Sequence, residues 1–498
     1  MTKIFVSTDL PPQILAPDVT KSDRYPSYIP TDSSSERPEP TFKFFKVFNT
    51  RTRFLIMINV LLCLASVWSN ILAFNFALVC FNQGGEDEDD KGGDVIFTSR
   101  QVSFLTSIVA ASAFVANFIV VQIVNRFGIR TLFTFLGLLS AAVTALLPLA
   151  ISSGYYFTLI LRALQGVAFS ANFPVIGAFS SKWTYYKQNG LFVSALVAYV
   201  QLSPAITMPI SGALCESSMS WPSVFYAHAI ASAILFVLFG IFYRNSPEKH
   251  RYVGDTELNK IKKFKTQANK KELRSIPYRQ ILTTPSVWAV WIGGIGNFVC
   301  VNMMFLYSPT YMSKVLGFPV HSTGISSALA PLAQFLIKLF AGFTSDKVKC
   351  LSETNKLRLY NTVAFFGSAL LLLTLAFWPS DQHKFMLLLF GASAGLLGFT
   401  TGGFFKAGPL VSKQYSHFVT GNISQTITIT MLIVPFMVNG LAPDNTAEQW
   451  RWVFVVTAAV LATTNLLFII MVSALPAPWT QSLNSTETSA NSSTSTRA

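Results

Sequence analysis

Residues 155–181 read YYFTLILRALQGVAFSANFPVIGAFSS, and Arg162 is the only charged residue among them. A helix needs roughly 20 predominantly apolar residues to cross the hydrocarbon core of a bilayer, and this run is long enough. An arginine near the centre of such a helix costs on the order of 2.5–3.5 kcal/mol on insertion scales. The stretch therefore predicts a membrane-spanning helix whose arginine either reaches the headgroups or faces a polar cavity.

Eleven further runs of this kind follow or precede it. Hydrophobic residues make up 51% of the 498-residue chain and charged residues 12%, whereas a soluble domain has roughly 25% charged residues. This composition excludes soluble multidomain enzymes, disordered proteins and nucleic-acid binders. The twelve predicted spans cover residues 54–81, 101–124, 131–151, 155–181, 190–214, 222–243, 286–312, 322–343, 359–378, 384–405, 418–441 and 451–474.

The longest interior polar stretch separates six spans from six. We expect a disordered cytosolic tail at 1–50, an N-terminal six-helix half at 51–244, a cytosolic central loop at 245–285, a C-terminal six-helix half at 286–475 and a Ser/Thr-rich cytosolic tail at 476–498. The first tail is rich in Pro, Ser and Thr and lacks the early apolar core of a signal peptide.

The basic residues predict the orientation of the chain in the membrane. If the amino terminus lies in the cytosol, only five of the 37 Lys and Arg residues fall in the outer gaps, and two, Arg162 and Lys338, lie inside spans. Such a bias is a strong positive-inside signal, and the acidic run at 86–90 falls outside. Both termini are therefore predicted to be cytosolic, and the net charge of +14 reflects topology and not a nucleic-acid partner.

The cysteines give no sign of paired spacing. There are five, and neither a disulfide framework nor a metal site follows from their positions. No nucleophile–base constellation is evident either, so the sequence predicts a protein that is not an enzyme. We expect no cofactor, apart from a possible coupling ion such as sodium.

A short signature occurs once in each half. The segment Val121–Arg130 follows the second span, and Gly342–Lys347 follows the eighth; both approximate the pattern G-x-x-x-D-R/K. Two halves with a repeated signature imply a pseudo-two-fold transporter with its substrate site near the membrane midplane. We expect the signature residues to latch the cytosolic ends of the halves as a gate. These residues are Asn125, Arg126, Arg130, Asp346 and Lys347.

A spaced set of motifs resembles the anion:cation symporter family of the major facilitator superfamily. The set comprises Arg162-Ala-Leu-Gln-Gly166 with Pro174, Ser246-Pro-Glu-Lys-His250 with Glu257, Ser308-Pro-Thr-Tyr311, and Glu448-Gln-Trp450. The resemblance covers roughly residues 50–479. It implies an all-α membrane protein of twelve transmembrane helices in two pseudo-symmetric halves, the major facilitator fold. It also implies transport of an organic or inorganic anion.

The chain departs from that family at several positions. Proton-coupled relatives carry a Glu seven residues after the span 4 arginine, where this chain has Phe169, and many carry an Arg and an Asn where it has Ile71 and Ala73. No acidic residue lies deep in a predicted span, although a buried carboxylate is the usual proton relay. His228 is the only deep titratable alternative.

These features predict a secondary active transporter of an anion that works by alternating access. Arg162 is the expected anion ligand, because a guanidinium donates two parallel hydrogen bonds to a carboxylate or phosphate. Gln165 would orient it and Lys338 would shape the field, while Asn172, Asn302 and Tyr307 are further candidates for substrate contact.

Two other functions stay open. The missing carboxylate suggests a potential-driven anion uniporter or channel-like pathway. The departures from the family suggest a membrane sensor that has lost transport. We expect a monomer in the lipid bilayer with a small anionic substrate and no nucleic-acid partner, and the sequence leaves the plasma membrane and vesicular or lysosomal membranes as alternatives.

Overall fold

The computed structural model describes residues 51–81, 97–184, 189–262, 277–348, 350–379 and 382–480. The regular elements of these residues are all helical. Twelve helices are long and apolar enough to cross a membrane, which confirms the predicted all-α fold with twelve spans. The tail at 1–50, the acidic run at 86–90 and most of the tail at 476–498 lie outside the described residues.

Eight spans are continuous helices. They are span 1 at Thr52–Cys80, span 2 at Ser99–Phe127, span 3 at Ile129–Ser153, span 6 at Pro222–Phe242, span 8 at Val320–Lys347, span 9 at Glu353–Phe377, span 11 at Ser416–Leu441 and span 12 at Ala447–Met471.

Four spans are interrupted within the membrane. Span 4 consists of Tyr155–Phe169 and Asn172–Trp183, span 5 of Asn189–Val197 and Tyr199–Cys215, span 7 of Pro285–Thr310 and a π-turn at Tyr311–Val315, and span 10 of His383–Leu396, a 3₁₀ segment at Leu397–Gly402 and Phe404–Ser412. In span 4 the cause is Pro174, which has no N–H for the carbonyl of Ser170 and clashes with it in a regular helix. Interrupted spans are common at transporter sites because they free backbone groups there.

The two sets of six spans meet along two pairs of helices. Span 5 packs along span 8, and span 2 packs along span 11. We call the side at which span 1 ends and span 2 begins the outer side. There the backbones of spans 5 and 8 touch, because a methyl group on Gly324 would lie 2.6 Å from the Met208 carbonyl oxygen.

Hydrogen bonds join the two sets of spans on this outer side. The Ser107 hydroxyl donates to the Leu432 carbonyl at 2.9 Å, and the Asn439 amide donates to the Ser103 hydroxyl at 2.8 Å. The Ser99 hydroxyl also donates to the Pro443 carbonyl at 3.0 Å. We call this arrangement, with the outer ends of the spans in contact, the outer-closed state.

One expectation about the cysteines is wrong. Cys80 and Cys215 form a disulfide with a Cα–Cα distance of 6.1 Å. The two residues are 135 positions apart, so their spacing gives no signal, but each ends a span on the outer side. The bond ties the outer end of span 1 to that of span 5.

On the opposite, inner side a short helix from the central loop packs against the beginning of span 1. Glu257, on the helix Asp255–Lys262, accepts hydrogen bonds from the backbone N–H groups of Thr52 and Arg53 at 3.2 Å each. These groups belong to the first turn of span 1, whose N–H groups have no partner within the helix. Glu257 thus caps span 1 and holds the loop helix against it.

Candidate functional site

Arg162 is completely buried among spans 1, 2 and 4. Its Nε donates to the Leu105 carbonyl at 3.1 Å, and its Nη1 donates to the Ile71 carbonyl at 3.2 Å and to the Gln165 side-chain oxygen at 2.8 Å. The guanidinium also lies over the ring of Phe74, with its carbon 4.4 Å from the centroid. In the outer-closed state the arginine is enclosed by protein and is neither exposed to lipid headgroups nor open to a cavity.

All of these partners are uncharged. Among the described residues no carboxylate pairs with Arg162, and its Nη2 has no hydrogen-bond partner. A buried cation is expensive unless it is paired, and the aromatic face and carbonyl dipoles compensate for it only in part. The site therefore has a surplus of positive charge and one free donor.

Gln165 connects the arginine to a polar network in the first six spans. Its amide nitrogen donates to the Asn70 carbonyl at 3.2 Å and to the Thr144 hydroxyl at 2.8 Å. The Asn70 amide continues the network by donating to the hydroxyls of Ser140 and Ser232 at 2.9 and 3.2 Å. The structure thus brings Arg162 and Gln165 together, with Gln165 held from both sides.

Asn172 lies beyond the interruption of span 4. It is fully buried, and its amide makes a long contact of 3.4 Å to the Leu64 carbonyl of span 1. Phe169, which lies between the two residues in the chain, packs its ring against that of Trp68 in span 1 with centroids 5.2 Å apart. In the outer-closed state Asn172 shares no hydrogen bond with Arg162 or Gln165 in the described part of the chain.

Lys338 is the second cation within a span, and it belongs to the other six spans. Its Nζ lies 5.3 Å from the centroid of the Phe405 ring, and the side chain is half-buried. One turn away, Gln334 accepts a 3.0 Å hydrogen bond from the Gln201 amide of span 5. Both glutamines are buried, so this bond links the two sets of spans next to Lys338.

The two candidates on span 7 face span 11. The Asn302 amide donates to the Thr430 hydroxyl at 3.0 Å, and the Tyr307 hydroxyl accepts from the Asn439 amide at 3.3 Å. Tyr307 also lines a small cavity at the outer ends of spans 1, 2, 7 and 11. Neither residue contacts Arg162 in the outer-closed state, so the six predicted substrate ligands form separate groups.

The predicted gate residues do not bridge the two sets of spans where their side chains are described. Arg130 binds within the first set, with Nε and Nη2 donating to the Gly240 carbonyl at 3.0 and 2.8 Å. Arg126 lies over Phe127, and Lys347 lies over Phe343 with its Nζ 4.1 Å from the ring centroid. The side chains of Asn125 and Asp346 lie outside the described residues.

The sequence did not predict several contacts around the candidate site and between the two sets of spans. These include the Gln201–Gln334 bond, the Asn439 bonds and the Cys80–Cys215 disulfide. The disulfide could have been predicted, because both cysteines lie at the ends of spans that terminate on the predicted outer side. The contacts of Gln201 and Asn439 could not have been predicted, since a polar residue within a span forms a helix–helix contact as often as it belongs to a binding site.

Comparisons with known proteins agree with this architecture. The family model described as Major Facilitator Superfamily matches residues 54–423. Human sialin is 26% identical over 358 residues, which cover 70% of this chain and 71% of sialin. Bovine vesicular glutamate transporter 1 is 22% identical over 415 residues, which cover 78% of this chain and 72% of the relative.

A solved structure has the same fold. It is that of a bacterial homologue of the human lysosomal transporter Spinster in an inward-facing, unoccupied conformation. The TM-score is 0.64 at 12% identity, and the match covers 84% of this chain and 97% of the other.

Proposed function

Since the chain belongs to the major facilitator superfamily and matches sialin and a vesicular glutamate transporter in its anion:cation symporter family, we propose that it is a secondary active transporter of a small anion. It is a multi-pass membrane transporter and not an enzyme. The alternating-access cycle, the anion and the coupling are the parts that we propose.

The completely buried Arg162 carries this proposal. Its guanidinium has only uncharged partners among the described residues and keeps one free donor, Nη2. An anion that reaches it supplies the missing countercharge, and a low dielectric strengthens that attraction. Gln165, held by Thr144 and the Asn70 carbonyl, fixes the direction in which the guanidinium points.

The proposed coupling does not use an intramembrane carboxylate. The ion pairs of the described residues lie at the inner side, where Arg53 faces Glu257 and Glu353 faces Lys356 and Lys406. We propose that the membrane potential or a sodium gradient drives the anion. Simple uniport remains the second candidate, favoured by the same uncharged surroundings of Arg162.

We also propose that both termini are cytosolic and that the protein works as a monomer. The Cys80–Cys215 disulfide supports this orientation, because disulfides persist in the oxidising compartments outside the cytosol. It lies on the side that the distribution of Lys and Arg predicts to be extracytosolic.

The test is uptake of radiolabelled phosphate, urate, sialate, glutamate and nucleotides into proteoliposomes, with and without a sodium gradient. Arg162→Lys keeps the charge and loses the planar fork. Losing one charge-assisted hydrogen bond, roughly 1.5–3 kcal/mol, weakens affinity about 10- to 150-fold.

Arg451→Lys is the matched control. Arg451 also donates to a carbonyl, that of Ala376 at 3.2 Å, and lies over the ring of Phe377, but at the outer end of span 12. We expect its affinity to stay at the wild-type level. Unchanged affinity in a well-folded Arg162→Lys variant would refute the assignment of Arg162. Binding without accumulation of any anion would indicate a sensor.

A further inference from the structure

A small cavity with polar and apolar walls lies between the two sets of spans on the outer side. We call it the outer hollow; its volume is about 180 Å³, room for roughly six water molecules. Asn75 and Thr106 of spans 1 and 2 line it from the first set. Tyr307, Lys314, Asn439 and Asn445 line it from the second set.

Asn75 is the unusual member of this lining. It is only 4% exposed, yet neither its amide nitrogen nor its amide oxygen has a hydrogen-bond partner. Leaving a buried polar group unsatisfied costs about 1–3 kcal/mol. Such a side chain on the wall of a cavity gains hydrogen bonds from water or from a ligand that offers hydrogen-bonding atoms.

The rest of the lining is partly apolar, and its other polar members favour oxygen atoms with negative charge. Lys314 is an exposed cation on the wall, and the amides of Asn75 and Asn445 and the Thr106 hydroxyl can donate to a ligand. The volume lies below the roughly 300 Å³ at which pockets begin to hold drug-sized molecules, so the ligand must be small.

We propose that the outer hollow binds a small oxyanion, a phosphate or a small carboxylate, at a site separate from Arg162. Arg162 donates a hydrogen bond to the carbonyl of Ile71 in span 1. Asn75 lies four residues further along the same helix, a distance of about 6 Å. The hollow is therefore the outer neighbour of the proposed transport site.

The position between the two sets of spans gives the site a regulatory effect. An anion that touches Asn75 on one side and Lys314 on the other contacts both sets at once. Asn439 already connects them there, since its amide donates to Ser103 at 2.8 Å and to Tyr307 at 3.3 Å. A ligand that binds one state better shifts the protein toward it, so an oxyanion in the hollow stabilises the outer-closed state and slows transport.

The experiment is a titration of the purified full-length protein with inorganic phosphate, against chloride at equal ionic strength. Trp221 reports on the hollow, because its ring lies edge-on to the lining residue Phe81 at a centroid distance of 4.8 Å. We expect a saturable fluorescence change that disappears in Trp221→Phe. A linear change, or one that Trp221→Phe retains, would overturn the proposal.

The variants separate the hollow from other anion sites. Asn75→Leu removes a buried donor and should weaken binding about tenfold. Lys314→Gln removes an exposed charge, worth about 0.2–1 kcal/mol, and should weaken binding up to about fivefold. Lys384→Gln is the matched control, an exposed outer lysine outside the lining, and should bind as the wild type does.

Two further arms keep the result interpretable. If Asn75→Leu fails to fold, Tyr307→Phe removes a lining hydroxyl and keeps the ring, and it should weaken binding in the same direction. Arg162→Lys should leave phosphate binding in the hollow unchanged; loss of binding there would place the phosphate at Arg162 and overturn the proposal, whatever becomes of transport.

The titration is repeated in detergent and in phosphatidylcholine nanodiscs. Saturable binding in both supports a soluble oxyanion. Binding in detergent that nanodiscs abolish supports the same chemistry and assigns the hollow to a lipid phosphate. Equal weakening by Lys314→Gln and Lys384→Gln would show a general surface-charge effect and refute the site.

Discussion

Replacing Gly324 by alanine should open the outer side of the transporter. In the outer-closed state the new methyl group would lie 2.6 Å from the Met208 carbonyl oxygen and 3.1 Å from the Gly212 Cα. Weak C···O contacts in proteins are about 3.3–3.6 Å long, so spans 5 and 8 would have to move apart by roughly 0.7 Å or more. The obstacle is backbone, which cannot turn aside as a flexible side chain can.

The magnitude follows from the cost of overpacking. Inserting a methyl group into a well-packed contact costs typically about 1–3 kcal/mol. This cost applies only while the outer ends of spans 5 and 8 touch, so it disfavours the outer-closed state alone. At about 1.4 kcal/mol per factor of ten, the ratio of outer-open to outer-closed molecules should rise about 5- to 150-fold.

A cysteine at Thr106 can report the change. Thr106 lies in span 2, lines the outer hollow and is 2% exposed. In intact cells that carry the protein at their surface, a membrane-impermeant maleimide should label Thr106→Cys faster when Gly324→Ala is also present. Background labelling should be low, because Cys80 and Cys215 are bonded to each other, Cys63 and Cys300 are buried, and the exposed Cys350 lies on the side proposed to be cytosolic.

Gly391→Ala is the matched control. Gly391 is a buried helical glycine in span 10 around which an added methyl group meets no atom within 4 Å. Both variants gain the same helix propensity, about 1 kcal/mol, and only one adds a clash between the two sets of spans. An unchanged labelling rate in a well-folded Gly324→Ala variant, or an equal rise with Gly391→Ala, would refute the reasoning.

Three further outcomes are expected. The Glu216 carboxylate at the end of span 5 accepts a hydrogen bond from the His321 N–H at 2.9 Å, at the start of span 8. Glu216→Gln removes this charge, and such helix-terminal charges are worth about 0.3–1 kcal/mol. The outer-closed state should lose that much stability, so the rate of Thr106→Cys labelling should rise at most about fivefold. In intact cells that carry the protein at their surface, the impermeant maleimide should label Cys80 and Cys215 only after reduction, and the exposed Cys350 only after permeabilisation. The reverse would invert the proposed orientation. Burial raises the pKa of Glu257, and the N–H and charge of Arg53 lower it only in part. The stability that the protonated Glu257 carboxyl contributes is therefore fully present below the unfolded pKa, about 4.3. It is lost as the pH rises through the higher folded pKa. Relative to Glu257→Gln, the thermal stability of the wild type should therefore fall as the pH is raised through the mildly acidic range; a constant difference would contradict this.

The sequence predicted the spans well because hydropathy over some 20 residues depends on the bilayer and not on neighbouring helices. It also predicted that Gln165 accompanies Arg162, since residues three apart share a helix face. It could not predict that span 5 contacts span 8 through Gln201 and Gln334. In a membrane the packed and lipid-facing sides of a helix are both apolar, so hydropathy does not indicate which side meets which helix.

The enclosure of Arg162 bears on how an anion could drive the transport cycle. In the outer-closed state its guanidinium is held by the Leu105 and Ile71 carbonyls, on spans 2 and 1. An anion can bind it only in a state where these spans have moved enough to admit the anion. Such an anion has different affinities for the two states, which is the condition under which binding shifts a conformational equilibrium. If the substrate supplies the countercharge at Arg162, as we propose, the charge that recognises the anion also changes the state of the transporter.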